Sequence, residues 1–199
     1  TTEAAGEAAT WPQHIHKNKR RDLNRARREY EQRGCALAAD PQFEEVRRLL
    51  AATAETKAFA CPTGGERMNR WWQAVRARGA GRAYLLRDGA GRALSASLLV
   101  WDQRSAYYLA SGMTDEVRRK TCLSLLLVER MILDAHAMGL DFDFEGSSLR
   151  GVESFFRSWG GLMRPMFRVV KIPSPIAFAL WNAHRYLAGH RKRRWVTSD

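Results

Sequence analysis

The chain has 199 residues, a formal net charge of +12, and 45% hydrophobic residues. This length and composition fit one globular domain with terminal extensions, and they exclude a disordered chain. No apolar run approaches the roughly eighteen residues that span a bilayer. The three cysteines form no CxxC pair, and the five histidines have no partner at zinc-binding spacing. We therefore expect reduced thiols in a cytoplasmic protein and no metal.

Two segments hold ten of the twelve excess positive charges. Residues 14–33 contain eight Lys/Arg and three acidic residues, and residues 185–195 contain five basic residues and no acid. Such clusters attract polyanions: nucleic acid, a phosphorylated cofactor or an anionic membrane. The alternative is a solvated helix face, and the sequence leaves both interpretations open for each segment.

Three helices are predicted before residue 80, over residues 12–33, 41–57 and 66–78. Gly34 ends the first. Asp40 caps the second and Pro41 lies in its first turn, with a strand or extended link over residues 35–39. The second helix is predicted to bury one face, made of Val46, Leu49, Leu50 and Thr53.

Residues 82–111 are predicted to form a three-stranded antiparallel meander. The strands are residues 82–87, 92–101 and 105–111. Asp88-Gly89-Ala90-Gly91 is a typical hairpin turn, and Asp102-Gln103-Arg104 forms the next turn.

The rest of the chain alternates helices and strands. A long buried helix is predicted from a cap at Asp115 to residue 138, where Gly139 ends it. A strand over 141–145 places Phe142 and Phe144 on one face and its three acids on the other. A helix over 151–159, a strand over 163–170 and a terminal helix over 176–188 follow.

This order predicts an α/β protein of the α+β type, with a mixed, mostly antiparallel sheet flanked by helices. We divide the chain into residues 1–11, a linker or cloning remnant; 12–172, the domain; and 173–199, a C-terminal helix and basic tail.

Three local sequences resemble the Fem-like (FemAB-type) branch of the GNAT superfamily of acyltransferases. They are the basic helix Arg20-Arg21-Asp22-Leu23-Asn24-Arg25-Ala26 with Gly34, the strand end Phe142-Asp143-Phe144-Glu145-Gly146-Ser147, and the helix Phe155-Phe156-Arg157-Ser158-Trp159-Gly160. The resemblance implies a GNAT-like fold, here the C-terminal one of two GNAT-like halves, with the other half upstream. It also implies an N-acyltransferase that takes its acyl or aminoacyl group from acyl-CoA (acetyl-CoA) or aminoacyl-tRNA and passes it to an amine.

The sequence departs from the family at the turn before the central helix. Glycines there let backbone N–H groups hold the pyrophosphate of CoA, but this chain has Thr121 and Leu123. The candidates for holding a donor phosphate are Arg118, Arg119, Lys120 and Thr121. Phe156 also replaces a lysine that is usual in the family, and Arg157 is the nearby cation.

Amide-forming transfer needs a base and a group that stabilises an oxyanion. Asp143 and Glu145 are the candidate bases, and Arg157 is the candidate oxyanion or phosphate ligand. The alternatives are that Asp143 binds the following turn, Glu145 is solvated and Arg157 forms a surface ion pair. The candidate substrate-binding residues are Tyr107, Tyr108, Ser147, Arg21 and Arg25.

Aromatic residues allow two further interpretations. Trp71, Trp72 and Trp159 either stack on RNA bases or are buried. The terminal helix carries Phe178, Leu180 and Trp181 ahead of a basic tail, which suits either an anionic membrane at the inner face or simple docking on the protein. A rival function is therefore a degenerate GNAT-fold module that binds RNA or an anionic membrane. A third, weaker hypothesis is that the chain supports a separate catalytic domain.

Overall fold

A computed structural model describes residues 14–56, 65–146, 150–165, 171–172 and 174–183. Predictions for residues 1–13, 57–64, 147–149, 166–170, 173 and 184–199 lie outside the described residues. The helices are α1 (Lys17–Gln32), α2 (Phe43–Thr56), α3 (Glu66–Ala77), α4 (Asp115–Lys120), α5 (Ser124–Ala137) and α6 (Arg150–Arg157). The strands are β1 (Ala36–Ala39), β2 (Gly81–Arg87), β3 (Ala93–Trp101), β4 (Ser105–Met113) and β5 (Asp141–Asp143).

The five strands form one sheet in the order β1-β2-β3-β4-β5. The first four are antiparallel neighbours, and β5 pairs with β4 in parallel. The predicted meander is confirmed, because both of its turns are encoded locally, by Asp and Gly residues in the first and by Asp102 in the second. The predicted fold class, a mostly antiparallel mixed sheet flanked by helices, is confirmed as well.

A hydrophobic core lies on each face of the sheet because successive side chains of a strand point to opposite faces. Tyr84 and Leu86 of β2 belong to one core, which is filled mainly by α1 and α5. Ala83 and Leu85 belong to the other, which is filled by α2 and α3. The predicted buried face of α2 is confirmed, since all four of its predicted residues are buried.

The predicted cap of α2 is wrong. The helix begins at Phe43, and Asp40 has a positive φ of 53°. Its Oδ1 accepts hydrogen bonds from Arg76 Nη1 (2.9 Å) and from the backbone N–H of Ala83 (3.3 Å). Asp40 therefore connects β1 to α3 and β2, because these distant partners satisfy its carboxylate better than the following turn would.

The single long helix predicted over 115–138 is also wrong. Two helices, α4 and α5, replace it, and the N-cap of α4 is Thr114, whose Oγ1 accepts from Val117 N. Thr121 is extended, with φ −131° and ψ 168°, so the helix is broken there. The predicted burial of the second part is confirmed: seven of its residues are buried.

Contacts divide the chain into two compact units, up to Leu162 and from Met163. In the first unit, β5 ends at Asp143, two residues before the predicted end. In the second, residues 163–165 form no strand, while residues 175–183 form a helix that begins one residue before the predicted start at 176. None of the helices among the described residues has the length and apolar character needed to cross a membrane.

Candidate functional site

The parallel strands β4 and β5 part after a short paired stretch. Their last paired residues are Tyr107 and Asp143, and β4 then continues to Met113 while β5 ends. On its other side, β4 pairs Tyr108 with Leu99 and Ala110 with Leu98, so Leu109 is an extra residue in a β-bulge. A bulge bends a strand and often lies beside an active site. Among the described residues, no strand pairs with this side of β4 from Tyr108 onward, and this opening is the candidate site.

Aromatic rings fill the near part of the opening. Tyr108 meets Phe144 and Phe156 edge-on, with both ring-centroid distances 6.1 Å, and Phe144 stacks on Phe156 at 4.8 Å. Burial raises the pKa of the Tyr108 hydroxyl. Tyr108 thus contributes to the wall of the site through its ring.

Asp143 and Glu145 lie together at the mouth of the opening. Asp143 Oδ1 accepts a hydrogen bond from the backbone N–H of Glu145 (2.7 Å), so this carboxylate holds the turn, as the structural alternative predicted. Glu145 has a φ of 58°, which is rare for a residue with a side chain. Such strain occurs often at functional sites. Desolvation, and next the negative charge of Asp143, raise the pKa of Glu145, which favours it over Asp143 as a base.

The remaining predicted residues take separate positions. Arg157 donates to Glu153 Oε1 from Nε (2.8 Å) and Nη2 (2.5 Å), the surface ion pair of the alternative interpretation. Among the described residues, no hydrogen bond or ion pair joins Arg157 to Asp143 or Glu145. Tyr107 donates its hydroxyl to Asp102 Oδ2 (2.8 Å), away from the opening. Ser147 lies outside the described residues.

The junction between α4 and α5 is the turn that the resemblance implied as the place for a CoA pyrophosphate. Here Thr121 Oγ1 accepts a hydrogen bond from the backbone N–H of Leu123 (3.2 Å), and the Leu123 side chain is fully buried. The N–H that a ligand phosphate would use is therefore occupied. These residues do not fit a pyrophosphate held by the backbone in the usual way.

The basic residues next to this junction differ in whether an acidic side chain pairs with them. Arg118 pairs with Asp115, whereas Arg119 and Lys120 are exposed with no ion-pair partner among the described residues. All three cations lie in the last turn of α4, where their positive charges interact favourably with the helix dipole. Arg119 and Lys120 thus remain predicted phosphate ligands that would act through side chains.

The outer face of α1 carries a row of free cations. Lys17, Arg21, Arg25 and Arg28 are exposed and follow helical spacing, and no ion pair involves them among the described residues. Arg21 and Arg25, predicted as substrate ligands, thus belong to a basic surface.

Lys19 has an unusual environment that the sequence did not reveal. Its Nζ lies 4.3 Å from the ring centroid of Phe155 and 5.6 Å from that of Trp159. Desolvation lowers the pKa of Lys19, against the opposing charges of Asp22 and Cys122. No local pattern distinguishes this lysine from its neighbours, because its environment comes from α6, more than 130 residues later.

The tryptophans are mostly structural. Trp72 and Trp159 are 6% and 1% exposed, which leaves no ring face for an RNA base. Trp71 is 38% exposed and remains available. Among the described residues, no group of His, Cys, Asp or Glu side chains is arranged to hold a metal ion.

Comparison with protein families identifies the class. The family described as acetyltransferase (GNAT) domain matches residues 17–157, which is most of the chain and includes every strand of the sheet. The chain belongs to the GNAT acetyltransferase family. No curated protein sequence matches it.

Solved structures share this fold at low sequence identity. Glucosamine-6-phosphate N-acetyltransferase from Arabidopsis thaliana aligns with a TM-score of 0.51 at 11% identity, covering 70% of this chain and 99% of its own. An aminoglycoside acetyltransferase from an uncultured soil metagenomic sample, in complex with sisomicin, gives 0.53 at 12% identity over 73% and 99%. A predicted acetyltransferase with acetyl-CoA from Clostridium acetobutylicum gives 0.52 at 8% identity over 69% and 96%. At these identities the likeness concerns the fold.

Proposed function

We propose that this chain is an N-acyltransferase that moves an acyl or aminoacyl group to an amine in the opening between β4 and β5. The observation that carries the proposal is the parting of these strands after Tyr107 and Asp143, with the strained Glu145 at its mouth. Strain is retained where the surrounding structure and the function require that conformation.

Glu145 is the general base of this proposal. It takes a proton from the attacking amine as the new C–N bond forms, and the donor's C–S or C–O bond then breaks. The leaving thiol or ribose hydroxyl receives a proton in return. The backbone of β4 beyond Tyr108, which β5 does not pair, supplies N–H groups for the developing oxyanion.

An aminoacyl ester of tRNA is the donor we favour over acyl-CoA. Two observations support this choice: Thr121 already binds the N–H of Leu123, and α1 presents the cations Lys17, Arg21, Arg25 and Arg28 at its surface. Rows of cations suit an extended phosphate backbone better than a single pyrophosphate. The motifs of the Fem-like branch agree with this donor class, and the C-terminal-half assignment implies an upstream GNAT-like domain.

Acyl-CoA stays the alternative donor. Arg119 and Lys120 would then hold its phosphates through their side chains. The acceptor is an amine in either case, and acceptors such as those of the aminoglycoside and glucosamine-6-phosphate enzymes belong in the first panel to be tested. We place the reaction in the cytoplasm.

The test is transfer of a radiolabelled group from acetyl-CoA and from aminoacyl-tRNA to a panel of amines. Glu145→Gln should lower transfer by about 100-fold or more. Asp141→Asn, which changes an exposed acid on the same strand face, is the matched control and should have no effect. Failure of both donors with every amine would contradict the proposal.

Donor choice is tested separately on α1. The triple variant Arg20→Ser, Arg21→Ser, Arg25→Ser should weaken binding of aminoacyl-tRNA by about tenfold or more and flatten its salt dependence. The control removes the same charge from exposed positions on α3 and just after it: Arg67→Ser, Arg70→Ser, Arg78→Ser. If the first triple leaves tRNA binding unchanged, the tRNA donor is excluded.

A degenerate binding module is the second candidate function. The rings of Tyr108, Phe144 and Phe156 in the opening favour it, since they occupy space that a substrate would need. This candidate requires RNA binding that depends on Arg20, Arg21 and Arg25 and no transfer from either donor.

A further inference from the structure

The second unit contains a helix with a clearly defined start. Residues 175–183 are helical, and Ser174 precedes them with Pro175 in the first turn. The carbonyl of Ser174 accepts the backbone N–H of Phe178 (2.9 Å), and its Oγ accepts that of Ala177 (3.4 Å). A Ser N-cap followed by Pro is a strong helix start, so this segment is encoded as a helix.

The helix exposes large apolar side chains to solvent. Ile176 is 73% exposed, Phe178 52% and Leu180 67%. At 100° per residue, Ile176 and Leu180 share one side, while Phe178 lies on the other beside Trp181, with ring centroids 6.4 Å apart. A helix that is apolar on both sides is suited to an apolar medium.

Charge changes abruptly where the apolar stretch ends. Residues 172–184 contain no Asp, Glu, Lys or Arg, and residues 185–195 contain five basic residues and no acid. The nine described helical residues measure about 13 Å at 1.5 Å each, far short of a bilayer. The segment therefore combines a short apolar helix with an adjoining cationic sequence.

We propose that this segment docks the chain on the surface of an anionic lipid bilayer. Ile176, Phe178 and Leu180 enter the boundary between headgroups and acyl chains, and the basic residues that follow in sequence bind anionic headgroups. A bilayer supplies an apolar layer directly beside a dense negative charge, which matches this order of side chains. The docking goes beyond the transfer reaction and does not depend on it.

The test is flotation of the full chain with vesicles of phosphatidylcholine, alone or mixed with phosphatidylglycerol. We expect binding to the anionic vesicles at least about tenfold stronger, and weakened by salt, since each basic residue near the surface contributes about fivefold. Ile176→Glu with Leu180→Glu should lower binding by about tenfold or more. Leu133→Glu is the matched control, because Leu133 is an exposed apolar residue of α5, 49% accessible, in the other unit.

The charged part is tested with Arg191→Ser, Lys192→Ser, Arg193→Ser, Arg194→Ser, which should remove the preference for anionic vesicles. Equal binding to both vesicle types, or unchanged binding of the I176E/L180E variant, would overturn the proposal. It would also be overturned if the Arg20, Arg21 and Arg25 triple variant alone abolished vesicle binding, because α1 would then be the docking surface.

A protein partner is distinguished in the same samples. One outcome would assign the helix to a second copy of the chain. In that outcome the chain does not bind vesicles, sedimentation shows a dimer, and the I176E/L180E variant is a monomer. Transfer to a soluble amine, assayed without vesicles, reports the catalytic proposal independently.

Discussion

The hydroxyl of Thr121 and the backbone N–H of Leu123 are hydrogen-bonded across the junction of α4 and α5, at 3.2 Å. This bond takes the place that a ligand phosphate would have in a glycine-containing turn. Thr121 has an ordinary extended φ of −131°, which any residue can adopt, and glycine can adopt it as well. The junction is therefore closed to phosphate by a side chain rather than by its backbone path.

Thr121→Gly should free the N–H of Leu123 and strengthen binding of CoA by several-fold, about 1 kcal/mol for one hydrogen bond. Isothermal titration with CoA measures this. Thr121→Ser keeps the hydroxyl and should bind CoA like the wild type. Equal affinity of the glycine and serine variants would show that the Thr121 hydrogen bond does not limit binding.

The proposed role of Glu145 as the general base predicts how the rate of transfer depends on pH. A base acts when it is deprotonated, and desolvation, followed by the negative charge of Asp143, raises the pKa of Glu145. Transfer should therefore increase with pH through a midpoint above the usual range of a glutamate, and Asp143→Asn should move that midpoint to lower pH. A pH–rate profile that Asp143→Asn leaves unchanged would argue against Glu145 as the base.

Gly112 should be the least replaceable glycine of the sheet. A Cβ there would lie 2.3 Å from the backbone carbonyl carbon and oxygen of Leu49 and 2.5 Å from the backbone N of Leu50. Because α2 cannot move away without disturbing its buried face, Gly112→Ala should lower the free energy of unfolding by about 3 kcal/mol.

Gly151→Ala is the control for this prediction. Its Cβ would meet nothing within 4 Å, and it lies inside α6. In urea unfolding, the Gly151→Ala variant should be as stable as the wild type or more stable by about 0.5–1 kcal/mol, because alanine is the better helix former. Equal stability losses in both variants would show that the contact with α2 is not what fixes Gly112.

Asp134 should contribute to acid unfolding. It accepts from Tyr84 Oη (2.7 Å), Arg82 Nη1 (3.0 Å) and Arg130 Nε (2.8 Å), and its side chain is 11% exposed. Burial would raise the pKa of Asp134, but these donors outweigh it and lower the pKa. The carboxylate therefore stabilises the fold above its unfolded pKa of about 3.9, and this contribution is lost as the pH falls through the lower folded pKa.

Asp134→Asn should lower the free energy of unfolding by about 1–3 kcal/mol at neutral pH. Below about pH 4 the variant should lose less further stability than the wild type does. Asp141→Asn, an exposed acid with no side-chain partner among the described residues, should leave the whole curve unchanged. The measurement is urea unfolding at a series of pH values. An unchanged acid limb in the Asp134 variant would show that other carboxylates govern acid unfolding.

The sequence by itself determined the local architecture. The meander follows from two turns that short local sequences encode, and the buried face of α2 follows from helical spacing. The alternation of Phe142 and Phe144 with acids predicted that the two rings share one face, and both pack, partly buried, against the same core. Comparison of the local sequence with the family's pattern placed Thr121 and Leu123 at the positions where a pyrophosphate loop has glycines.

Only the tertiary structure decided which of these side chains are free to act. Asp40 binds Arg76, 36 residues away, and Lys19 of α1 lies over the ring of Phe155 in α6, 136 residues away. Helix and strand periodicity report contacts within a few residues, whereas the partners of a charged side chain are set by elements that meet only when the sheet has formed.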